Sequence, residues 1–344
     1  MLKKLTLQNF TTFQNAEFVF SKGINIIIGE NSSGKSHVLK LAYSVASVWD
    51  KCGKEGWRES LIEKLHRVFR VEDLIELKKF DTLLSEARHY VNLEFFVDHK
   101  TQESQTIEFD LSMRDKITLN GVIPTAPILN KPLFFPAKEV LSLFPKFISL
   151  YEKYELSFDE TYYDLCKAID NPLLKEPDKS LIQRIENIIG GKIILKGDHF
   201  YLRSDKSEYN IFMVAEGWRK LGTLSYLIAN DSLRENSILF WDEPEANLNP
   251  RLIKRLAEIL VELSQHNIQI IIATHSLFLM KYFDYLIANS KQKSAAAFFS
   301  LVRDDMSVLN IERGDRLNEL TTIVSLDEEM ELYDKEQEAV FNNL

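Results

Sequence analysis

Ile24-Asn25-Ile26-Ile27-Ile28-Gly29-Glu30-Asn31-Ser32-Ser33-Gly34-Lys35-Ser36 decides how this chain folds. Its opening run is β-branched apart from Asn25 and lies between Gly23 and Gly29, the pattern of a strand buried on both faces of a parallel sheet. From Gly29 onward it fits Gly-x-x-x-x-Gly-Lys-[Ser/Thr] at every fixed position. The glycines let successive N–H groups converge on phosphate oxygens, and a following helix adds its positive N-terminal end. His37 to Val45 has helical spacing, so the loop stands between strand and helix as that chemistry requires. Lys35 is placed to reach β- and γ-phosphates and Ser36 to ligate Mg²⁺. Gly29, Glu30, Asn31, Ser32, Ser33, Gly34 and His37 complete the expected cradle for ATP.

Outward from this loop, residues 3–20 alternate apolar and polar, which predicts two antiparallel strands. Residues 57–89 read as helical, 90–135 as strands, 138–190 as mostly helical, and 190–213 as a hairpin opened by Gly190-Gly191. From Gly217 the pattern runs helix, strand (238–241), helix (251–264), strand (268–273), helix (276–283). Strands alternating with helices near both ends predict an α/β fold with a parallel or mixed sheet flanked by helices, an antiparallel N-terminal part and a helical insertion. The expected division is 1–137, an N-terminal half with the phosphate loop and a β-rich lobe; 138–210, a mostly helical lobe; and 211–344, a C-terminal half.

Composition agrees with a globular chain. Its 344 residues correspond to about two domains at roughly 150 each. With 45% hydrophobic residues, 12 Gly and 9 Pro, collagen-like and low-complexity chains are excluded. The net charge of −9 argues against general electrostatic attraction to nucleic acid. Cys52 and Cys166 form no CxxC pair, so a reduced, cytoplasmic protein is expected. The opening Met1 to Phe10 alternates and has no apolar core of a secretory signal, and no window approaches 18 consecutive apolar residues, so no membrane span is expected.

Two further strand ends carry chemistry. Ser237 to Trp241 is an apolar run that delivers Asp242-Glu243-Pro244. Beside a phosphate loop, Asp242 fits a ligand in the Mg²⁺ shell and Glu243 a general base for the attacking water. Alone, such a pair is more often a solvated loop; a phosphate loop about 200 residues earlier changes that balance. Ile268 to Thr274 is a second apolar run, and it delivers His275 to the same sheet edge, within reach of a γ-phosphate.

Together these segments resemble the ABC-type ATPases, most of all the branch containing the RecF/SMC-like proteins and the OLD-family ATPases. The resemblance is carried by Gly29 to Ser36, by Asp242 to Pro250 and by Ala273-Thr274-His275-Ser276, with a looser likeness at Leu5 to Phe10 and Phe135 to Glu139. It covers about residues 1–45 and 210–285. It implies a homodimer that sandwiches ATP head to tail, and it leaves open whether dimers assemble further. In that family a Ser-x-Gly signature at a helix start closes over the partner's γ-phosphate. Here Ala215-Glu216-Gly217 stands in its place, so Ala215 and Gly217 are the expected contacts, and Arg219 or Lys220 could supply the donor lost with the serine. Asn249 replaces the usual aspartate, and Lys138 or Glu139 falls near the glutamine-bearing loop.

What the ATPase serves is read by elimination. The 69 residues after His275 (344 − 275) are short for the nuclease domain of OLD-family proteins. The middle of the chain carries no long heptads, unlike chromosome-organising or break-repair proteins, and the signature serine expected of a transporter subunit is missing. A stand-alone ATPase that regulates a separate effector, as in bacterial anti-phage defence or toxin-like systems, is the favoured expectation. A RecF-like repair ATPase that binds DNA directly is the alternative, through Lys51, Lys54, Arg58, Lys64, Arg67 and Arg70, which equally read as a solvated helix face. Asp327 to Glu338 holds seven acidic residues against Lys335, a solubilising helix end or a docking surface for a basic partner. Phe144, Phe147, Tyr151, Tyr154, Phe158, Tyr162, Tyr163 and Trp241 read as core.

Overall fold

The computed structural model describes the chain except residues 52–53, 80–87, 98–102, 113–114, 122–123, 125–129, 155, 178, 290–294, 304–307 and 343–344. Cys52 lies outside the described residues; Cys166 is a buried free thiol whose pKa burial pushes up to about 12. Strands β1 (Leu2–Phe10) and β2 (Phe13–Val19) form the expected hairpin. The opening stretch then becomes β3 (Ile24–Gly29), and helix α1 (Lys35–Val48) starts at the loop lysine.

Next come α2 (Trp57–Phe69), a single-turn helix over Leu74–Leu77, and strands β4 (Tyr90–Phe96), β5 (Ser104–Ser112), β6 (Lys116–Asn120) and β7 (Leu133–Phe135). The described part of the 57–89 stretch is less helical than expected, since Arg70, in the left-handed region, closes α2; residues 80–87 of that expectation lie outside the described residues. Residues 138–210 hold α3 (Phe144–Lys153), α4 (Glu160–Ile169), α5 (Lys179–Ile189) and the strands β8 (Lys192–Lys196), β9 (His199–Arg203) and β10 (Glu208–Asn210). The remainder is α6 (Glu216–Ala229), β11 (Ile238–Asp242), α7 (Pro250–Gln265), β12 (Gln269–Thr274), α8 (Leu277–Asn289), β13 (Ala296–Arg303), β14 (Leu309–Gly314) and α9 (Val324–Asn342).

The six-stranded sheet has the order β14-β13-β3-β12-β11-β7, parallel except for β14. Period-two alternation sends its side chains to two cores. Ile24, Ile26 and Ile28, with Leu239, Trp241, Ile270 and Ile272, join α5, α6 and α7 on one face. Ile27, Phe240, Ile271, Ala273 and Phe299 join α1 and the antiparallel sheet β2-β1-β4-β5-β6 on the other. Trp241 is fully buried and packs in a tilted pair with Phe135 at 4.5 Å between ring centroids, a core residue as expected. Of the aromatic set, Phe144, Phe147 and Tyr163 are buried and Tyr151, Phe158 and Tyr162 pack against the core, whereas Tyr154 lies in solvent because α3 has already ended at Lys153.

Register fixes the working edge. Thr274 pairs with Ile28 and Asp242 with Ala273, so β3, β12 and β11 all end at one rim, the crevice beyond the carboxyl ends of a parallel sheet. Gln269 ties the two sheets together at the opposite rim. Its buried amide accepts from Leu2 N–H at 2.7 Å and donates to the Leu2 and Ser21 carbonyls at 2.7 Å each. Gln269→Ala leaves these groups unpaired in a dry site and is expected to cost about 2–3 kcal/mol of unfolding free energy, read by urea denaturation; an unchanged midpoint would remove this joint from the account.

Candidate nucleotide-binding site

The turn after β3 is held in a phosphate-cradling shape by positive-φ residues. Gly34 has φ +92°, and a Cβ there would meet Thr12 Oγ1 at 2.5 Å and the Phe13 ring at 2.7 Å, so any side chain would collide with the β1–β2 hairpin. Ser32 also takes a positive φ, 62°. The rim is braced from outside: Thr12 Oγ1 donates to the Ser33 carbonyl, and an Arg303 N–H donates to the Ser32 carbonyl at 3.2 Å. Lys35 is buried, and its Nζ donates to the Gly29 and Glu30 carbonyls at 2.8 and 2.6 Å. Burial lowers its pKa, opposed by the carboxylates of Glu243, Asp242, Glu245 and Glu30.

Asp242 closes β11 facing this loop. Burial raises its pKa, and a hydrogen bond from Ser36 works in the other direction. Its Oδ1 is buried without a hydrogen-bond partner, an unpaired acceptor beside the Ser36 hydroxyl. Glu243 follows in a left-handed conformation, φ 47°, fixed by its N–H bonding to the Ala273 carbonyl at 2.9 Å. A non-glycine residue so placed costs roughly 1–2 kcal/mol, strain of the kind that gathers at functional sites. The turn carries its carboxylate to His275 Nδ1, 3.4 Å away. Glu245 is buried and accepts from Thr274 Oγ1 at 2.5 Å, while its Oε2 has no partner. The three strand ends thus bring Lys35, Ser36, Asp242, Glu243 and His275 together, as their spacing predicts.

Other expected contacts land differently. The His37 side chain packs edge-on against Phe69 at 5.7 Å, where burial lowers its pKa to about 4. Ala215 is the N-cap of α6 and supplies no side-chain bond. Gly217 is a packing residue, since a Cβ there would meet Leu248 at 2.5 Å and Leu252 at 2.6 Å. Neither Arg219 nor Lys220 stands free to replace the serine. Arg219 pairs with Glu139 at 3.2 Å, and buried Lys220 donates to the Ala246 carbonyl at 2.8 Å. Asn249 caps α7 through Leu252 N–H.

Spacing did not reveal the residues that couple this centre to its surroundings. Asn247 donates to Glu216 at 3.0 Å, joining the segment after Glu243 to the start of α6. Lys40 and Tyr43 of α1 reach Asp159 at 2.8 Å and Asp164 at 2.6 Å on the helical segment. Phe212, Met213 and Trp218 are exposed around the start of α6, Met213 by 78%. Their one signal in the sequence is an apolar group without helical or strand period flanking Ala215. The basic cluster divides: Lys64 pairs with Glu160 at 3.2 Å and with Asp164, Arg67 with Glu63, and Arg70 with the Leu156 and Phe158 carbonyls, whereas Lys51, Lys54 and Arg58 are exposed. Lys64 and Arg67 line a cleft of about 770 Å³ together with those acids and with Lys51, Lys131, Lys167 and Arg234.

Comparison with known proteins gives the same frame. A solved SMC head bound to the C-winged helix domain of ScpA aligns with 92% of this chain and 98% of its own, at a TM-score of 0.59 and 16% identity. The fold is that of an SMC-head-like P-loop ATPase. A family model described as "AAA domain, putative AbiEii toxin, Type IV TA system" matches residues 114–281, and a second AAA-domain model matches residues 4–41. The DNA double-strand break repair Rad50 ATPase of Methanococcus maripaludis is 25% identical over 287 residues, 78% of this chain and 26% of that protein. The DNA replication and repair protein RecF of Streptococcus suis is 23% identical over 209 residues, 56% of this chain and 53% of that protein. The chain therefore spans about a quarter to a half of these curated relatives. Among the described residues, no helix is long and apolar enough to cross a membrane.

The raised pKa of Asp242 has a sign that can be measured. A carboxyl that binds its proton more tightly in the fold than in the unfolded chain destabilises the fold once ionised, so stability contributed by this group falls as pH rises through its folded pKa. Asp242→Asn is expected to raise the melting temperature without nucleotide by roughly a degree or two at neutral pH, with the gain vanishing in acid. A drop in melting temperature at neutral pH would contradict this electrostatic account.

Proposed function

We propose that the chain binds ATP with Mg²⁺ and hydrolyses it, working as a nucleotide-dependent dimerising switch on a separate effector protein. The observation that carries this reading is the unpaired, buried Oδ1 of Asp242 beside the Ser36 hydroxyl, at the mouth of the phosphate loop. Those two oxygens fit a hard divalent cation, and Ser36 and Asp242 would hold Mg²⁺. When bound, the ion supplies charge neutralisation for the phosphate oxygens. Lys35 exchanges its two loop carbonyls for β- and γ-phosphate oxygens, a better match for a desolvated ammonium. Glu243 takes the proton of the attacking water, and His275, 3.4 Å away, orients that carboxylate and meets the γ-phosphate. Gly29 to Ser36 and the His37 backbone cradle the phosphates.

The exposed Phe212, Met213 and Trp218 around Ala215 support the sandwich dimer, since an apolar patch at a helix start suits burial against a second copy. In this reading the head is built from residues 1–137 and 211–344, with a lobe over 138–210, and the chain works in the cytoplasm. The toxin–antitoxin wording of the matched family model supports a defence or toxin-like setting. A second reading, direct DNA binding in repair, is favoured by the names of the Rad50 and RecF relatives. The ion pairing of Lys64 takes that residue out of such a contact surface, which would rest on the exposed Lys51, Lys54 and Arg58.

Lys35→Ala is expected to lower ATP affinity by at least about a hundredfold. Glu243→Gln is expected to keep ATP affinity, lose about a hundredfold or more in turnover, and trap a dimer visible in sedimentation velocity. Normal turnover by Glu243→Gln would refute the base assignment. The trapped protein, isolated from its host with ATP and analysed by mass spectrometry and for nucleic acid, separates the two readings: a stoichiometric protein supports the effector, DNA alone supports repair.

A further inference from the structure

Helix α9 leaves the body of the protein after Leu326, the last of its residues packed on the core. Every residue from Asp327 to Val340 is exposed, a rod of roughly 21 Å at 1.5 Å per residue. An unsupported helix of this length is marginal in water. Even so it carries an apolar stripe with alternating three- and four-residue spacing: Ile323, Leu326, Met330, Tyr333, Gln337, Val340. That is the seam of a coiled coil, with one polar residue, Gln337, in the place where a buried amide sets register. Ile323 is buried and Leu326 partly so, whereas Met330, Tyr333 and Val340 are 59%, 59% and 57% exposed. The seam begins on the core and runs out into solvent uncovered.

The positions beside this seam decide what can cover it. Between Leu326 and Val340 they are Asp327, Glu329, Asp334 and Glu336, all acidic. A second copy would place these carboxylates against their own equivalents in either orientation, because flanking positions face flanking positions in parallel and antiparallel pairs alike. Glu329 has a nearby cation, Lys281 of α8 at 3.6 Å, and Lys335 pairs with Glu331 on the outer face, away from the seam. We propose that α9 is a docking helix for a separate protein that presents an amphipathic helix with Lys or Arg flanking its own apolar seam. This surface lies outside the phosphate-loop centre and does not depend on the nucleotide reading. Lys281 sits on the helix that follows His275, which puts a partner bound here one element from that centre.

The test uses the full chain without ATP and two labelled synthetic helices about four heptads long, identical in an Ile/Leu seam and differing only in Lys or Glu at the flanking positions. Fluorescence anisotropy is expected to show binding of the Lys helix at least about tenfold tighter than of the Glu helix, weakening as salt is raised. A Met330→Glu, Tyr333→Glu double variant is expected to lose that binding with an unchanged melting temperature, both sites being exposed. Glu331→Gln, on the outer face, is expected to keep it. Failure of the Lys helix to bind, equal binding of both helices, or binding unaffected by the double variant would overturn the proposal. So would a dimer of the chain alone, in sedimentation velocity, that the double variant dissolves, since a second copy would then cover the seam.

Discussion

Ile26 of β3 sits between Ile272 of β12 and Phe298 of β13, and all three side chains are fully buried on one face of the sheet. Ile27 next to it is buried on the other face among Ala273 and Phe299. With both faces covered, polar chemistry has no place along these strands and is pushed to their carboxyl rim. The register then brings the phosphate loop, the Asp242-Glu243 pair and His275 to one line. A slip of one residue would reverse the faces of β11 or β12 and bury a charge, so packing and site geometry are one constraint.

The rim itself is under electrostatic tension. Lys35 gives up solvation and is steadied by four carboxylates, while Asp242 and Glu245 each keep a buried oxygen without a partner. Glu243 is held in a left-handed turn that a solvated acidic loop would not need. These are costs to the fold in isolation. In the proposed function they are offset when a polyanion and a cation enter, and a nucleotide would in that way shift the balance between arrangements of the surrounding elements. The links from this rim are specific: Asn247 to Glu216 on α6, and Lys40 and Tyr43 to Asp159 and Asp164 on the helical segment.

Surface charge tells a different story from charge in the sequence. The six basic residues between Lys51 and Arg70 look like a nucleic-acid patch, yet the acids that neutralise Lys64 lie on α4, about a hundred residues away. The acidic run of α9 behaves in the opposite way. It gains little from the rest of the chain, and its apolar stripe stays in solvent.

Local spacing by itself determined the phosphate loop, the strands that deliver Asp242, Glu243 and His275, and the α/β class, because backbone sterics and period-two burial act within a few residues. The same information placed Trp241 in the core and a helix over 251–264. Tertiary structure alone decided that Gly217 is a packing contact under Leu248 and Leu252, that the His37 ring turns to Phe69, and that Lys220 is spent on the Ala246 carbonyl. It also decided which charges are free. Each of these depends on partners brought close by the closing of two cores around one sheet, and an interaction whose partner is distant in the chain leaves no local pattern to read.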